Sequence, residues 1–474
     1  MAFLFLSLAI AGLVQQANAQ TSCGLSPSGS VQPSVASGYR WQVVATGLSK
    51  PRGLAFDGEG NLLVIESGSG VVSSHVLSTA GNGCVSVKSS STVTEAISLN
   101  HGIAMSADGK TLYASSTDEA YSWAYDAGSQ KGTSRKTLVA NMTGSDHSTR
   151  TLLLSKAVPG LLLIGHGSTS NLDILATEMG TGSATVKAFN LSNMTNSYDY
   201  ETDGLLLGWG LRNDVGIAEH PSSGGIWTVE NSADQITRYG VDVHATNPAE
   251  ELNFLGYLNG TQSKNQGSNF GYPWCYSAWD PSVLPQNQNI QVGDQFATDP
   301  SPDLNNQNKT DAFCASMTQS RLVFHSHMAP LDIKFNNSGV DAWVTFHGSW
   351  DSPSPVGYKL SLIKFTSAGE PVDEVTSTTA AMDIFTNQNL SACPNNCFRP
   401  ATIAIDGSGR IFMSSDASGE IYMIERDTTS ATSTPSGTSS GTGSQASPTK
   451  SDANTLFRSH WWIVAGVVAW YVVW

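Results

Sequence analysis

Between Trp209 and Asp234 the chain reads WGLRNDVGIAEHPSSGGIWTVENSAD, with polar and apolar positions in a definite order. A polar pair, Arg212 and Asn213, precedes a short alternating run from Val215 to Glu219. A turn rich in Pro, Ser and Gly follows, Ile226 to Val229 return, and Glu230 and Asn231 end the run. Two apolar runs joined by such a turn predict a β-hairpin. Its strands are antiparallel, so the residues leading into the first and out of the second share the end opposite the turn.

The same unit recurs as PRGLAFDGEGNLLVIE from Pro51, NHGIAMSADGKTLYASS from Asn100 and RTLLLSKAVPGLLLIGHGS from Arg150. It appears again as PLDIKFNNSGVDAWVTFHGSW from Pro330 and RPATIAIDGSGRIFMSSD from Arg399. Copies spaced by about fifty to seventy residues, apart from one larger gap, predict an all-β fold: a six-bladed β-propeller. Coincidental hairpins in another all-β fold would not repeat the same polar chemistry at both ends. Between Asp242 and Gln319 the repeat is interrupted by a long cysteine-containing insertion carrying FGYPWCYSAWD, Phe270 to Asp280. Its Tyr272, Trp274 and Trp279 form either a sugar-stacking wall or a small satellite core under the loop.

The ends follow a different pattern. Phe3 to Leu13 are almost wholly apolar and lead to Ala17-Asn18-Ala19, so residues 1–19 are expected to be a signal peptide despite the lack of Lys or Arg before the apolar run. Residues 20–427 then form the propeller domain. Residues 428–460 are rich in Ser, Thr and Gly and are expected to be a stalk, and 461–474 are apolar to the last residue. A polar spacer before a terminal apolar tail without basic residues after it predicts glycosylphosphatidylinositol (GPI) attachment, near Ser447, Ser451, Ala453 or Asn454. A secreted, cell-surface protein agrees with six cysteines and with sequons at Asn141, Asn190, Asn193, Asn259, Asn308, Asn336 and Asn389. Nearest-neighbour disulfides, Cys23 with Cys84, Cys275 with Cys314 and Cys393 with Cys397, are expected. No second Cys or His pair stands beside Cys393 and Cys397 to make a zinc site. The net charge of −15 excludes nucleic acid as a partner, because the phosphate backbone requires a basic face.

Charge enters the picture locally instead. The strand ends of the six repeats collect Arg52 with Glu66, His101 with Ser115, Arg150 (preceded by His147) with His166, and Arg212 and Asn213 with Glu230 and Asn231. They add His325 and His327 with His347 and Trp350, and Arg399 with Asp416. Four arginines and several histidines around one axis predict a compact polyanionic ligand, since guanidinium forks suit carboxylates and phosphates. Two rival readings remain open. Glu66, Glu230, Asn213 and Asp416 could hold the metal of a propeller lactonase, although a metal alone gives no reason for four arginines. A non-catalytic glycan-binding propeller would use the aromatic insertion and leave His147 without a role.

The motifs His147-Ser-Thr-Arg150, Gly210-Leu-Arg212-Asn213, Glu230-Asn-Ser-Ala-Asp234, His347-Gly-Ser-Trp350 and Arg399-Pro400 resemble those of the quinoprotein sugar dehydrogenases, above all the fungal pyranose dehydrogenases dependent on pyrroloquinoline quinone (PQQ). The resemblance spans roughly Ser37 to Arg426. It implies oxidation of the anomeric hydroxyl of a pyranose sugar, with PQQ and Ca2+ as cofactors and a haem cytochrome or other one-electron acceptor as partner. The histidine before Arg150 lies closer to it than in bacterial glucose dehydrogenases, so their substrate preference does not carry over. In this resemblance Arg52, Arg150, Arg212 and Arg399 meet the PQQ carboxylates, and His101, Asn213, His347, Trp350 and Asp416 line the cofactor. Backbone carbonyls at Ser232 and Ala233 hold Ca2+, His147 is the general base with a near-neutral imidazole, and Arg212 stabilises charge on the quinone oxygen.

Overall fold

Each of the six repeated segments folds as an antiparallel hairpin, and each hairpin supplies the two innermost strands of a blade. They are Pro51–Phe56 with Leu62–Glu66, Ile103–Met105 with Thr111–Ser115, and Leu152–Leu154 with Leu161–His166. The others are Asp214–Glu219 with Gly225–Glu230, Pro330–Phe335 with Asp341–Phe346, and Pro400–Ile405 with Ile411–Ser415. The computed structural model describes residues 23–427 except 30, 145, 302, 303, 305 and 306. The expected signal peptide lies outside them, as do the stalk and the apolar tail. Further strands extend each hairpin outwards into a sheet of four or five strands, and the inner strands of neighbouring sheets touch all the way round the axis. The fold is the predicted six-bladed propeller.

The ring is closed by the N-terminal part of the chain. Tyr39–Ala45 completes the last blade as its outer strand, antiparallel to Glu420–Arg426, and Pro33–Val35 adds to the fifth blade beside Met382–Asn387. Trp41 is the centre of this closure. It is 1% exposed and packs against Phe385 and Tyr422, with ring centroids 5.6 and 6.1 Å away. No helix among the described residues is long and apolar enough to cross a membrane.

Around the axis, side-chain hydroxyls of one blade bond to backbone carbonyls of the next. Ser115 Oγ donates to the Arg150 carbonyl (2.6 Å), Thr345 Oγ1 to Ala401 (2.9 Å) and Ser414 Oγ to Arg52 (2.7 Å), while Thr151 Oγ1 donates to Val215. The inner strands approach so closely that two positions require glycine. A Cβ on Gly53 would lie 2.1 Å from the His101 carbonyl oxygen, and one on Gly102 would lie 2.1 Å from that of Arg150.

The insertion leaves the fourth blade, lends Ser268–Asn269 to the third, and holds a strand pair, Cys275–Ser277 with Gln295–Ala297, and the helical turn Asp311–Cys314. Of the two readings of its aromatics, the satellite core is the one seen for Tyr272, which is buried with Tyr276, Leu284, Phe296 and Ile236. Arg238, also buried, clamps the insertion through a bidentate pair with Asp311 at 2.6 and 2.7 Å. The disulfides are Cys23–Cys84, Cys275–Cys314 and Cys393–Cys397, as expected from nearest-neighbour pairing.

Because Trp41 packs the N-terminal strand against the last two blades, Trp41→Ala is expected to cost about 3–5 kcal/mol of stability, the usual range for emptying a large aromatic site. Chemical denaturation of the two proteins checks this. A loss below about 1 kcal/mol would show that the closing strand is dispensable.

Candidate active site in the propeller funnel

The hairpin ends opposite the turns surround a funnel of about 520 Å³. Its wall includes Arg52, His147, Arg212, Asn213, His347 and Arg399, so residues far apart in sequence share one surface as the hairpin pattern required. Two of the arginines are only partly engaged by protein. Arg52 donates from Nη1 to Asp416 (2.7 Å) and from Nε to His101 Nδ1 (3.2 Å). Arg399 donates from Nε to the His347 carbonyl (3.2 Å) and from Nη2 to that of Gly348 (2.9 Å). Nη2 of Arg52 and Nη1 of Arg399 have no protein partner among the described residues. These are open, charge-assisted donors of the kind that bind carboxylates.

Asp416 is the anchor between them. It accepts from Arg52 and, at 2.8 Å, from His347 Nε2. Burial would raise its pKa, but His347, Arg52 and Arg399 outweigh burial and hold the carboxyl well below its ordinary value. His101 and His347 are lowered chiefly by burial, so both are neutral. Asp416 and His101 do not line the funnel: they fix Arg52 from behind, and His101 borders a smaller axial cavity towards the turn ends.

The third wall arginine behaves differently. Arg212 is 3% exposed, and all five of its guanidinium N–H groups are used by protein: Asn171 O and Oδ1, the Asn231 and Ser232 carbonyls, and Asp234 Oδ2. It contributes positive potential and no free donor. Arg150, expected to face the same ligand, is instead fully buried outside the funnel wall. Its guanidinium donates to the carbonyls of Met142, His147 and Thr149, because the loop that carries His147 folds over it and needs its backbone acceptors satisfied. The arginine lining therefore numbers three, two of them with free donors.

His147 stands where a base is useful. Its Nδ1 lies 2.9 Å from both the carbonyl oxygen and Oγ of Ser168. A carbonyl only accepts, so Nδ1 carries the hydrogen and Nε2 keeps its lone pair. Gly167 makes this placement possible, since a Cβ there would lie 2.4 Å from Asn213 Oδ1 and 2.7 Å from His147 Cβ. Burial, then the Arg212 charge, push the imidazole down to about 3, not the near-neutral value expected from sequence.

Other expectations are relocated. Ser232 lines the funnel and its carbonyl accepts from Arg212 at 2.6 Å, while the Ala233 side chain is buried in the satellite core. The donors that do converge are Asp234, His327 and Asp351, each offering a ligand atom within 4.8 Å of the others. Asp351 Oδ2 is buried without a partner. Glu66 and Glu230 do not line the funnel, and Glu230 is buried beneath it, accepting from the Arg212 backbone N–H and from Asn253; the lactonase metal set is not assembled. Tyr272 points its hydroxyl to the Ser170 and Asn171 carbonyls, Trp274 packs on Phe313 under Lys309, and Trp279 faces a different cavity, so none forms a funnel wall. The exposed aromatic at the funnel is Trp350, 69% exposed on its rim. Asn171, Glu250 and Asp351 were not anticipated; Asp351 directly follows the HGSW motif and Asn171 follows HGSTS, which is the signal that extending each repeat by a few residues would have caught.

A family model described as TrAA12-like matches residues 33–427, the whole propeller. The chain belongs to the TrAA12-like family. It is 43% identical over 400 residues to a pyrroloquinoline quinone-dependent sugar dehydrogenase of Hypocrea jecorina, covering 83% of this chain and 89% of that one. Among solved structures it resembles the calcium structure of the Trichoderma reesei carbohydrate-active enzyme of family AA12, with TM-score 0.81 and 42% identity over 86% of this chain and 100% of that one. It also resembles the holo form of the pyranose dehydrogenase PQQ domain from Coprinopsis cinerea, with TM-score 0.77 and 36% identity over 85% and 99% of the two chains.

The buried histidines set a pH dependence. His147 and His166 both have folded values near 3, below their ordinary 6.5, so between those limits the unfolded chain binds more protons than the folded one. Their contribution to stability is complete above about pH 6.5 and is lost as pH falls towards 3. His147→Gln is expected to flatten the fall in denaturation midpoint between pH 6.5 and 4; an unchanged slope would show that His147 carries its proton in the folded state.

Proposed function

We propose that this protein is a PQQ- and Ca2+-dependent dehydrogenase that oxidises the anomeric hydroxyl of pyranose sugars to lactones. The observation that carries the reading is the pairing of open guanidinium donors on Arg52 and Arg399 with an unprotonated His147 Nε2 in one funnel. The names of the relatives support the same chemistry. PQQ with Ca2+, when bound, supplies a two-electron sink polarised by a Lewis acid.

The chain's own groups have distinct tasks. Arg52 and Arg399 would hold the carboxylates of PQQ, and the saturated Arg212 would add positive potential without a direct bond. Asp234 and Asp351 offer the oxygen ligands that Ca2+ prefers and would join the backbone carbonyls at Ser232 and Ala233 in that role. His147 Nε2 accepts the proton of the anomeric hydroxyl while Ser168 holds Nδ1–H and thereby the ring. A bound polyanion offsets the Arg212 charge, which together with burial keeps the imidazole's proton affinity low. Trp350, exposed on the rim, takes the sugar-stacking part once given to Tyr272, Trp274 and Trp279. The electrons leave to an external acceptor, for which a haem cytochrome is one class. Secretion, N-glycosylation and a GPI anchor at the cell surface complete the proposal.

Arg52→Ala and Arg399→Ala are each expected to weaken PQQ binding by about 1.5–3 kcal/mol, the range for a hydrogen bond to a charged group. Optical titration of the apo-protein with PQQ in Ca2+ checks this, and unchanged affinity in both would assign the arginines to the fold. His147→Ala is expected to keep PQQ and lose on the order of 10²–10⁴ in turnover with an aldose. Near-normal turnover per loaded molecule would remove His147 from the chemistry.

A further inference from the structure

The donors that converge on the funnel come from different stretches of chain. Asp234 follows the inner hairpin of the fourth blade, while His327 precedes and Asp351 follows that of the fifth. All three lie beyond the strand ends, and the two hairpins belong to different sheets, so strand pairing does not fix one stretch against the other. Glu250 makes that connection. It begins the third strand of the fourth blade, Glu250–Tyr257, is 3% exposed and lines the funnel. Its Oε2 accepts from the Ser232 N–H at 2.8 Å and its Oε1 from the Ala329 N–H at 3.0 Å. Each bond ends two residues from a donor, Asp234 on one side and His327 on the other. Among side chains of this size, only a carboxylate offers two acceptor oxygens to two backbone donors at once. Asn231 adds a second tie, from Nδ2 to the Pro330 carbonyl at 2.5 Å, one residue further from both donors.

The backbone on the far side of this link is held in a costly conformation. His327 and Ala329 have φ of 62° and 51°, in the left-handed region that disfavours residues with a Cβ. Such strain persists only where surrounding contacts impose it. The contacts are the Glu250 bond and two backbone bonds, from the His347 N–H to the Ala329 carbonyl at 2.9 Å and from the Gly348 N–H to the Met328 carbonyl at 3.0 Å. The same two bonds tie this stretch to the one that carries Asp351. In this conformation His327 Nε2 donates to the His244 carbonyl at 2.5 Å, and Nδ1 stands 3.6 Å from Asp234 Oδ1, further than a hydrogen bond.

We propose that Glu250 is a positioning residue that sets the spacing between the Asp234 stretch and the stretches carrying His327 and Asp351, and thereby the affinity of the funnel for Ca2+. The proposal rests on the dehydrogenase reading, which places Ca2+ on Asp234 and Asp351. Glu250 acts through the backbone of Ser232 and Ala329. Glu251, next along the same strand, points to the opposite face and accepts from the Ser277 N–H and from Asn253 instead. Two adjacent buried acids thus separate a role in spacing from a general role in the fold.

The test reads cation binding, not turnover. Glu250→Gln keeps the side-chain volume but turns an amide nitrogen, which only donates, towards one of the two backbone N–H groups, so one bond is lost. Glu251→Gln is the control. The full protein is stripped of cations, held in excess PQQ and titrated with Ca2+ by calorimetry at pH 8, because burial pushes the Glu250 carboxyl up to about 7. Glu250→Gln is expected to weaken Ca2+ binding at least tenfold and Glu251→Gln less than about threefold. In wild type, amide hydrogen exchange at Ser232 and Ala329 is expected to slow together as Ca2+ is added, a measurement that serves if Glu250→Gln does not fold. Equal Ca2+ affinity in wild type and Glu250→Gln, equal losses in the two variants, or slowing at only one of the two amides would overturn the proposal. A wild type that binds no Ca2+ would overturn it together with the cation part of the dehydrogenase reading. A tenfold loss in Glu250→Gln beside a wild type that oxidises no sugar would instead refute the dehydrogenase reading and leave the role of Glu250 standing.

Discussion

The architecture depends on hydroxyl-to-carbonyl bonds around the propeller axis. Ser115, Thr151, Thr345 and Ser414 each donate to the backbone carbonyl at or next to the start of the next blade's inner strand. These buried carbonyls have no sheet partner on the axial side, and leaving them unpaired would cost about 1–3 kcal/mol each. The clips draw the strands together until only glycine fits at positions 53 and 102. With the backbones locked, the side chains at the strand ends have one place to go, the funnel or the layer behind it.

Electrostatics in the funnel follows from that crowding. Arg52, Arg212 and Arg399 share the wall with Asp146, Asp234, Glu250 and Asp351; Asp234 is committed to Arg212 with His327 at 3.6 Å, and Asp416 behind the wall to Arg52 and His347, while Asp351 Oδ2 has no partner among the described residues. An arginine whose donors are all taken and an arginine with one open nitrogen differ in what they offer a ligand. Arg212 supplies potential, while Arg52 and Arg399 supply potential and bonds. Burial keeps His147, His101 and His347 neutral, so none adds to the repulsion.

The insertion serves a second purpose besides covering the fourth blade. Its buried Tyr272 donates to the backbone carbonyls of Ser170 and Asn171, which in turn hold His147 through Ser168 and Arg212 through Asn171. Aromatic residues that look like a ligand surface in one dimension here set the geometry of the charged groups from outside. Trp279, at the far end of the same segment, reaches a separate cavity instead.

The hairpin boundaries, the blade number and the end of the hairpins that carries the chemistry were legible in the sequence, because they follow from a local pattern that repeats. Alternation places strands, turn residues join them, and antiparallel pairing brings their ends together. Which of the clustered residues face the ligand was not legible. Arg52, Arg150, Arg212 and Arg399 occupy equivalent places in their repeats, yet one is buried under a loop, one is saturated and two are open. That choice depends on the carbonyls and carboxylates that folding brings round each guanidinium: Met142 and Thr149 for Arg150, Asn171 and Asp234 for Arg212, Asp416 for Arg52. Sequence supplies the charge and its level along the axis, and the hydrogen-bond demand of the surrounding backbone decides how much of it remains free.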